Sequence, residues 1–158
     1  VFTRNTYKDI LLDSIRHCQK EKGLVVHAWV IMTSHGHMII SKNSLRVLPD
    51  IMRDLKKFTA YKNIGAIMES PQESRREWMF KLFKQAGENN SNNTNWQFWQ
   101  QDNHPIELTD ATMQEQRLNY IHENPVRAGF VYKAEDYVYS SACDYGGTKG
   151  LLDLLLLE

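Results

Sequence analysis

Hydrophobic and polar positions divide the first forty residues into a helix and two short strands. Apolar residues recur at helical spacing from residue 6 to about residue 20, and Gly23 is a suitable stop. The next apolar run, residues 24–32, is short and rich in β-branched side chains, which is typical of a buried strand. A second such run, residues 35–40, follows after only two polar residues. The pattern therefore predicts an antiparallel hairpin directly after the first helix.

Three further helices are predicted downstream. They cover roughly residues 48–63, 74–85 and 110–124. The last of them is expected to end near Asn124, because Pro125 disfavours helical backbone in the residue before it. Residues 96–100 are predicted to form a strand, and the polar, Asn-rich residues 87–95 a flexible loop. The order helix, strand, strand, helix, helix, strand, helix indicates an α+β fold.

The length of 158 residues fits one domain, which we assign to residues 1–150. Residues 151–158 form an apolar tail. We expect this tail to become a final strand or helix that docks on its own domain or on a second subunit, because an apolar terminus must be covered. No part of the sequence approaches the ~18 consecutive apolar residues of a membrane span, so no membrane partner is expected.

The charge balance limits how the protein could bind nucleic acid. Nineteen Lys and Arg residues offset nineteen Asp and Glu residues, so there is no global positive field. Any contact with nucleic acid would depend on local clusters of positive charge. Cys18 and Cys143 are far apart and belong to no C-x-x-C pattern, which argues against a disulfide framework and fits a reducing cytoplasm.

The first candidate for chemistry is the His35-Gly36-His37 segment. Residues two apart on a strand point to the same face, so the two imidazoles would lie side by side as a metal requires. An incidental pair is the alternative, although two imidazoles without partners would be costly in an apolar hairpin.

The second candidate is Tyr120 with Asn124, which are four residues apart and project from one helical face. Tyr120 could instead be a core tyrosine, and Asn124 a cap before Pro125. A phenol with its usual pKa of ~10 is a poor nucleophile, but it becomes useful when a metal polarises the group that it attacks. A carboxamide oxygen one turn away would suit Mg²⁺ or Mn²⁺ alongside the two imidazoles.

Together these segments resemble the single-tyrosine HUH transposase superfamily, which is insertion-sequence transposase-like, and most closely its REP-associated tyrosine transposases. The resemblance covers nearly the whole chain and is carried by five segments. They are residues 27–37 with H-x-H, the basic residues 51–59, the Trp-Gln residues 98–102, the run Y-I-H-E-N-P-V-R-A-G-F-V at 120–131, and Tyr139-Ser140-Ser141. The fourth segment is the most specific, because it is long and follows the H-x-H segment in the expected order.

The resemblance implies a metal-dependent endonuclease and strand transferase that cleaves single-stranded DNA bearing hairpins. Tyr120 would be the nucleophile and would form a 5′-phosphotyrosine link, while His35, His37 and Asn124 would hold Mg²⁺ or Mn²⁺. It also implies a homodimer and a ferredoxin-like (RRM-like) antiparallel sheet with helices on one side. The family's first strand should precede the first helix, and this sequence begins at what looks like the end of that strand, so the strand is expected to be missing here.

Positive charge and aromatic rings suggest where DNA could bind. Arg53, Lys56 and Lys57 share one predicted helix, and Arg127 lies near the presumed active site. We expect these four residues to contact phosphates, with a solvated helix face as the alternative for the first three. The aromatic residues at 96–99 belong either to the core or to a surface on which unpaired bases stack.

Two competing functions remain open at the level of the sequence. One is a domesticated DNA-hairpin binder that keeps the fold without catalysis, which Gly36 and the Thr33-Ser34 turn suggest because both depart from the family pattern. The other is a ferredoxin-like RNA-binding domain. An RNA binder needs neither the two histidines nor Tyr120 and Asn124, so their joint presence argues against it.

Overall fold

The fold is described from a computed structural model, which covers residues 1–89, 96–100 and 105–158. Its α-helices are α1 (Asn5–Glu21), α2 (Leu48–Glu69), α3 (Arg76–Glu88), α4 (Ala111–Arg127) and α5 (Ala142–Tyr145), and a 3-10 turn covers Ala134–Asp136. The strands are β1 (Leu24–Ile31) and β2 (Gly36–Lys42). Among these residues no helix is long and apolar enough to cross a membrane.

The predicted hairpin is confirmed. Strands β1 and β2 pair antiparallel, with Val30 opposite His37 and Ile31 opposite Gly36. Thr33 and Ser34 form the tip, across which the Met32 N–H donates to the His35 carbonyl at 2.8 Å. The α+β class is therefore correct. A ferredoxin-like sheet has four strands, whereas the described residues form a sheet of two, so that finer prediction is not confirmed.

The other edge of β1 is covered by backbone from the C-terminal part of the chain. The Ile31 N–H donates to the Tyr139 carbonyl at 2.9 Å, and the Ser141 N–H donates to the Trp29 carbonyl at 2.9 Å. Ser140 thereby forms an isolated bridge with Val30. This edge of β1 consequently has partners for its backbone groups, as an exposed edge strand would not.

A β-bulge at His27 divides β1 into two halves. Val26 lies opposite Ile40 and Ala28 lies opposite Ile39, so His27 is one residue more than the partner strand provides. The extra residue changes which positions share a face. Leu24 and Val26 before the bulge, and Trp29 and Ile31 after it, contribute to one core cluster. Ala28, Val30 and Met32 contribute to a second cluster.

Helices cover both faces of the sheet, rather than one side as the sequence predicted. Helix α1 packs on the face that carries Trp29 and Ile31, and α2 lies beside α1 in the same cluster. Helix α4 contributes Ile121 to the second cluster, on the face that carries Val30. The reason is that β1 is buried on both faces, so each face requires its own apolar cover.

A buried carboxylate joins the start of α1 to the turn between α2 and α3. The side chain of Glu73 is 0% exposed and accepts hydrogen bonds from Arg4 Nε at 3.0 Å, Tyr7 Oη at 2.8 Å and Arg75 Nε at 2.9 Å. These bonds, above all those from Arg75, lower the pKa of Glu73 to about 2. Burial and the same carboxylate raise the pKa of Tyr7 to about 12. The cluster therefore holds a charged carboxylate and a neutral phenol.

Three of the predicted helix ends are wrong, among them that of α3, which ends at Glu88 rather than at residue 85. Helix α2 continues to Glu69. The prediction stopped short because two buried residues of this helix, Thr59 and Asn63, are polar and interrupt the apolar pattern in the sequence. Helix α4 continues through Pro125 to Arg127. A proline so near the C-terminal end removes only one helical hydrogen bond, and the final turn is closed by the Ala128 N–H, which donates to the Asn124 carbonyl at 3.0 Å.

Residues 96–100 do not form the predicted strand. Phe98 instead packs edge-on against Phe2, with ring centroids 6.0 Å apart, and Trp99 Nε1 donates to the Lys56 carbonyl at 3.1 Å. Aromatic side chains can be buried against helices as well as in a sheet, so aromatic content alone did not determine the backbone. Of the predicted loop, Gly87 and Glu88 end α3, and residues 90–95 lie outside the described residues.

The apolar tail docks on its own chain as an extended segment that forms neither helix nor strand. Leu152 is buried in the first core cluster, and Leu157 packs against the second. The Leu155 N–H donates to the Val26 carbonyl at 3.1 Å, and the His27 imidazole hydrogen-bonds the Leu155 carbonyl at 2.7 Å. The sequence allowed the tail to dock on its own domain or on a second subunit. In the described residues it docks on its own domain.

Candidate active site

The hairpin brings the two candidate histidines together at its tip. His37 follows the first residue of β2, and His35 immediately precedes that strand. The two histidines are separated by Gly36 and lie on the face of the hairpin that carries Val30 and Met32. Their ring centroids lie 5.1 Å apart with the planes at 72°. His35 Nδ1 also shares a hydrogen bond of 3.1 Å with the Ser34 hydroxyl at the turn.

Helix α4 places Tyr120 over this pair. The Tyr120 and His37 ring centroids are 5.3 Å apart, with an interplanar angle of 76°. Tyr120 is 40% exposed, so the alternative of a core tyrosine is wrong. The core residue at this point of α4 is its neighbour Ile121, which packs on the sheet. The phenol is therefore accessible to a ligand from solvent while its ring contacts a histidine.

Asn124 lies one helical turn beyond Tyr120 on the same stripe of α4 and is half-buried. The helix continues past it, so Asn124 is not the cap before Pro125 that the sequence allowed. The backbone carbonyl of Asn124 accepts a hydrogen bond from the Ala128 N–H at the end of α4. Its side chain is the next polar group after Tyr120 along this stripe of the helix.

Two guanidinium groups flank the tyrosine. The Arg127 Cζ atom lies 4.7 Å from the centre of the Tyr120 ring, and the Arg117 Cζ atom lies 6.0 Å from it. Arg127 also donates from Nη2 to the Tyr120 carbonyl at 3.0 Å, which fixes it against the last turns of α4. Arg127 was predicted from the sequence and Arg117 was not, although its position three residues before Tyr120 on a helix was a usable signal.

The surroundings keep His37 neutral. Burial lowers the pKa of His37, and the nearby His35 and Arg117 lower it further, because each disfavours a second positive charge. A neutral imidazole is the form that binds a metal ion. The electrostatics of the site therefore favour the ligand form of this ring near neutral pH.

The residues of the site fit the metal that the sequence predicts. The two adjacent imidazoles, one of them held neutral, supply nitrogen donors, and the carboxamide of Asn124 would add an oxygen donor of the kind that Mn²⁺ or Mg²⁺ prefers. Within the described parts of the chain, no three His, Cys, Asp or Glu side chains come together as a metal-binding group. The donor set expected from the sequence is of another kind, because it counts the amide of Asn124 as its third member.

The cationic residues that were predicted to bind DNA divide between two layers. Arg127 lies at the tyrosine, whereas Arg53, Lys56 and Lys57 are on α2, which packs in the cluster on the opposite face of the sheet. Arg53 forms ion pairs with Asp50 at 3.0 Å and with Asp54 at 3.5 Å. The structure thus brings one of the four to the candidate active site.

Of the aromatic residues at 96–99, two pack against the core and one is partly exposed. Phe98 and Trp99 pack against the first core cluster. Trp96 is 38% exposed and lies edge-on against Phe80, with ring centroids 5.2 Å apart. These rings belong to the side of the molecule that carries α2 and α3.

One contact of α4 was missed by sequence reasoning. His122 Nε2 shares a hydrogen bond of 2.8 Å with the hydroxyl of Ser141, which is fully buried. The Trp29 N–H donates to the same hydroxyl at 2.9 Å. His122 therefore points away from the stripe of Tyr120 and Asn124. The Tyr139-Ser140-Ser141 segment was noted in the sequence as part of the family resemblance, but nothing in the sequence indicated that His122 would bind Ser141.

Scans of protein-family models, of curated proteins and of solved structures found no match to this chain. The arguments about function consequently rest on the residues and on their geometry.

Proposed function

We propose that the protein is a metal-dependent endonuclease and strand transferase of the HUH type, which cleaves hairpin-bearing single-stranded DNA through Tyr120. The observation that carries the proposal is the contact of the exposed Tyr120 ring with the His35–His37 pair, at a centroid distance of 5.3 Å from His37. A core tyrosine or an incidental histidine pair would have no reason to meet at one accessible point.

The reaction is a phosphoryl transfer to the phenol. The Tyr120 Oη atom attacks the phosphorus and forms a new P–O bond, and its proton passes to solvent. The bond from phosphorus to the 3′-oxygen breaks, and that oxygen leaves as a 3′-hydroxyl after taking up a proton. The product is a 5′-phosphotyrosine. A 3′-hydroxyl can later reverse the step, so that strands are joined without an external energy source.

The site's own side chains perform three tasks in this scheme. His35, His37 and Asn124 would hold the Mg²⁺ or Mn²⁺ ion, which when bound supplies polarisation of the phosphate. Arg127 and Arg117 offer positive charge beside the Tyr120 ring, where it can offset the charge of an approaching phosphate. The contact of the Tyr120 ring with His37 limits the directions from which the oxygen can attack.

The proposal extends to the fold, the assembly and the compartment. The order α1, β1, β2, α2 agrees with the middle of a β-α-β-β-α-β ferredoxin-like domain, and we propose that arrangement together with a homodimer. Cys18 and Cys143 are both free, which agrees with a reducing cytoplasm as the place of the reaction.

The test is a denaturing gel with labelled single-stranded hairpin oligonucleotides, Mn²⁺ or Mg²⁺, and an EDTA control. The wild-type protein should give a slowly migrating, protease-sensitive adduct that requires the metal. Tyr120→Phe should abolish the adduct and leave hairpin binding intact. Tyr132→Phe is the matched control, because Tyr132 is fully exposed and would capture DNA if accessibility alone were sufficient.

Other results would select another function. Binding of hairpins without any adduct, in a protein that still binds metal, would favour the DNA-hairpin binder that lacks catalysis. Binding of RNA in preference to DNA, with no effect of Tyr120→Phe or His35→Ala, would favour an RNA-binding domain.

A further inference from the structure

Helix α4 rests on the sheet along a narrow line. Its buried residues are Ile121 and Pro125, and Ile121 packs in the second core cluster with Val30 and Ile39, to which the half-buried Leu118 adds. On a helix, the residues before and after a central residue project about 100° to either side of it. Tyr120 therefore lies on one flank of Ile121 and His122 lies on the other.

Each flank of α4 contacts a different part of the molecule. Tyr120 reaches His37 on β2. His122 reaches Ser141, whose backbone and hydroxyl are both bonded to Trp29 of β1. The His122 ring also lies against the Tyr145 ring, with centroids 5.0 Å apart. One flank thus carries the candidate nucleophile, and the other carries a hydrogen bond to the far edge of β1.

A helix that is supported by a narrow apolar line can roll about its own axis. The phenol oxygen of an extended tyrosine lies roughly 9 Å from that axis, so a roll of about 10° moves it by about 1.5 Å. An error of about 1 Å in the position of a reacting group can reduce a rate about a hundredfold. The contact on the flank opposite Tyr120 is therefore suited to control where the phenol oxygen lies.

We propose that the His122–Ser141 hydrogen bond fixes the roll of α4 and thereby positions Tyr120 against His37. His122 is a positioning residue, because its described contacts are with Ser141 and Tyr145 and not with the presumed ligands. Its role in catalysis rests on the proposed function, but its role in the geometry does not.

The chain contains a matched control for this bond. His27 Nε2 shares a hydrogen bond of 2.7 Å with the Ser41 hydroxyl, so it forms a second imidazole–serine pair in the same sheet. The described contacts of the His27 side chain are with Ser41 and the Leu155 carbonyl, and none is with α4. Loss of this pair should affect stability without moving Tyr120.

The experiment uses NMR chemical shifts of the His37 ring protons, which the ring current of Tyr120 displaces. Tyr120→Leu gives the shift without that ring. His122→Leu should move the His37 signals toward the Tyr120→Leu values. His122→Gln, which retains a polar group near the reach of Nε2, should keep them near wild type. His27→Leu should leave them unchanged.

The second readout is the formation of the DNA adduct. We expect His122→Leu to slow it roughly tenfold to a hundredfold with hairpin affinity within about twofold of wild type, and His122→Gln to restore most of the rate. If His122→Leu does not fold, His122→Asn replaces it, since that side chain is polar but too short to reach Ser141.

Unchanged His37 shifts in a folded His122→Leu or His122→Asn protein would overturn the proposal. Equal displacement by His27→Leu would overturn it too, because the effect would then be general loosening. If wild type forms no adduct but the shifts respond as expected, the proposed function fails while the positioning role stands.

Discussion

The rings of His37 and Tyr120 meet edge to face, with their centroids 5.3 Å apart and their planes at 76°. This contact joins a strand near the start of the chain to a helix near its end. It leaves the Tyr120 side chain partly open to solvent while the histidine is half-buried. In the proposed reaction, a phosphate would approach Tyr120 and an ion held by His37 from the solvent side, since neither side chain is fully buried.

Removal of either histidine should weaken metal binding. We expect His35→Ala and His37→Ala each to reduce Mn²⁺ affinity at least about tenfold at pH 7.5, since each deletes one of the proposed donors. Calorimetric titration with Mn²⁺ measures this directly. His17→Ala is the control, because His17 is an exposed histidine of α1 that stacks on Phe58. An equal loss in that variant would contradict the site.

The arginine beside the tyrosine should matter more than the arginine on α2. Arg127→Ala removes positive charge 4.7 Å from the Tyr120 ring, and we expect the rate of adduct formation to fall roughly tenfold to a hundredfold. Arg53→Ala should change that rate less than about twofold, because Arg53 already pairs with Asp50 and Asp54 on the opposite layer. Similar losses in both variants would place the DNA across both layers.

The buried carboxylate of Glu73 should give the protein a stability that depends on acid. Its pKa of about 2 lies below the ordinary value of 4.5, so its contribution is present above pH 4.5 and is lost as the pH falls toward 2. Glu73→Gln should lower the free energy of unfolding by about 2 kcal/mol at pH 7 and flatten this dependence.

Urea unfolding at several pH values measures the effect of Glu73→Gln. The exposed Glu88, which lies 4.0 Å from Lys84 in a surface pair, supplies the comparison. Glu88→Gln should change stability by less than about 0.5 kcal/mol at every pH, since an exposed helical pair contributes little. A matching loss in both variants would mean that burial of Glu73 is not the cause.

The docked tail should stabilise the chain through one leucine. Leu152 is 1% exposed, so Leu152→Ala should cost about 2 to 5 kcal/mol. Leu156 is 46% exposed in the same tail, and Leu156→Ala should cost less than about 1 kcal/mol. Thermal unfolding compares the two. If stability depended instead on protein concentration and on Leu156, the tail would serve an interface between subunits.

The sequence predicted the hairpin and the pairing of its histidines because both are local. A strand of period two places His35 and His37 on one face wherever the strand lies. Local patterns also located the helices, but polar residues inside α2 and a proline inside α4 concealed where those helices end. The strand predicted at residues 96–100 failed because aromatic side chains are buried equally well by a helix.

The spatial meeting of Tyr120 with His37 could be expected from a resemblance but not from local patterns. Neither a helical stripe nor a strand alternation states which face of the sheet a distant helix covers. The contact between His122 and Ser141 was invisible for the same reason, since a buried hydroxyl leaves no period in the sequence.

The β-bulge at His27 shifts the alternation of side chains along β1 by one residue. Adding one residue to β2 between Ile39 and Ile40, opposite His27, would restore strict alternation along β1, and the residues after His27 would exchange sides relative to Leu24 and Val26. Because the turn keeps His37 opposite Val30, the histidine pair would change sides with that strand. The histidine pair would then lie on the face covered by α1 and α2, on the opposite side of the sheet from Tyr120. One inserted amino acid, remote from the candidate chemistry, thus decides which helix the histidines meet.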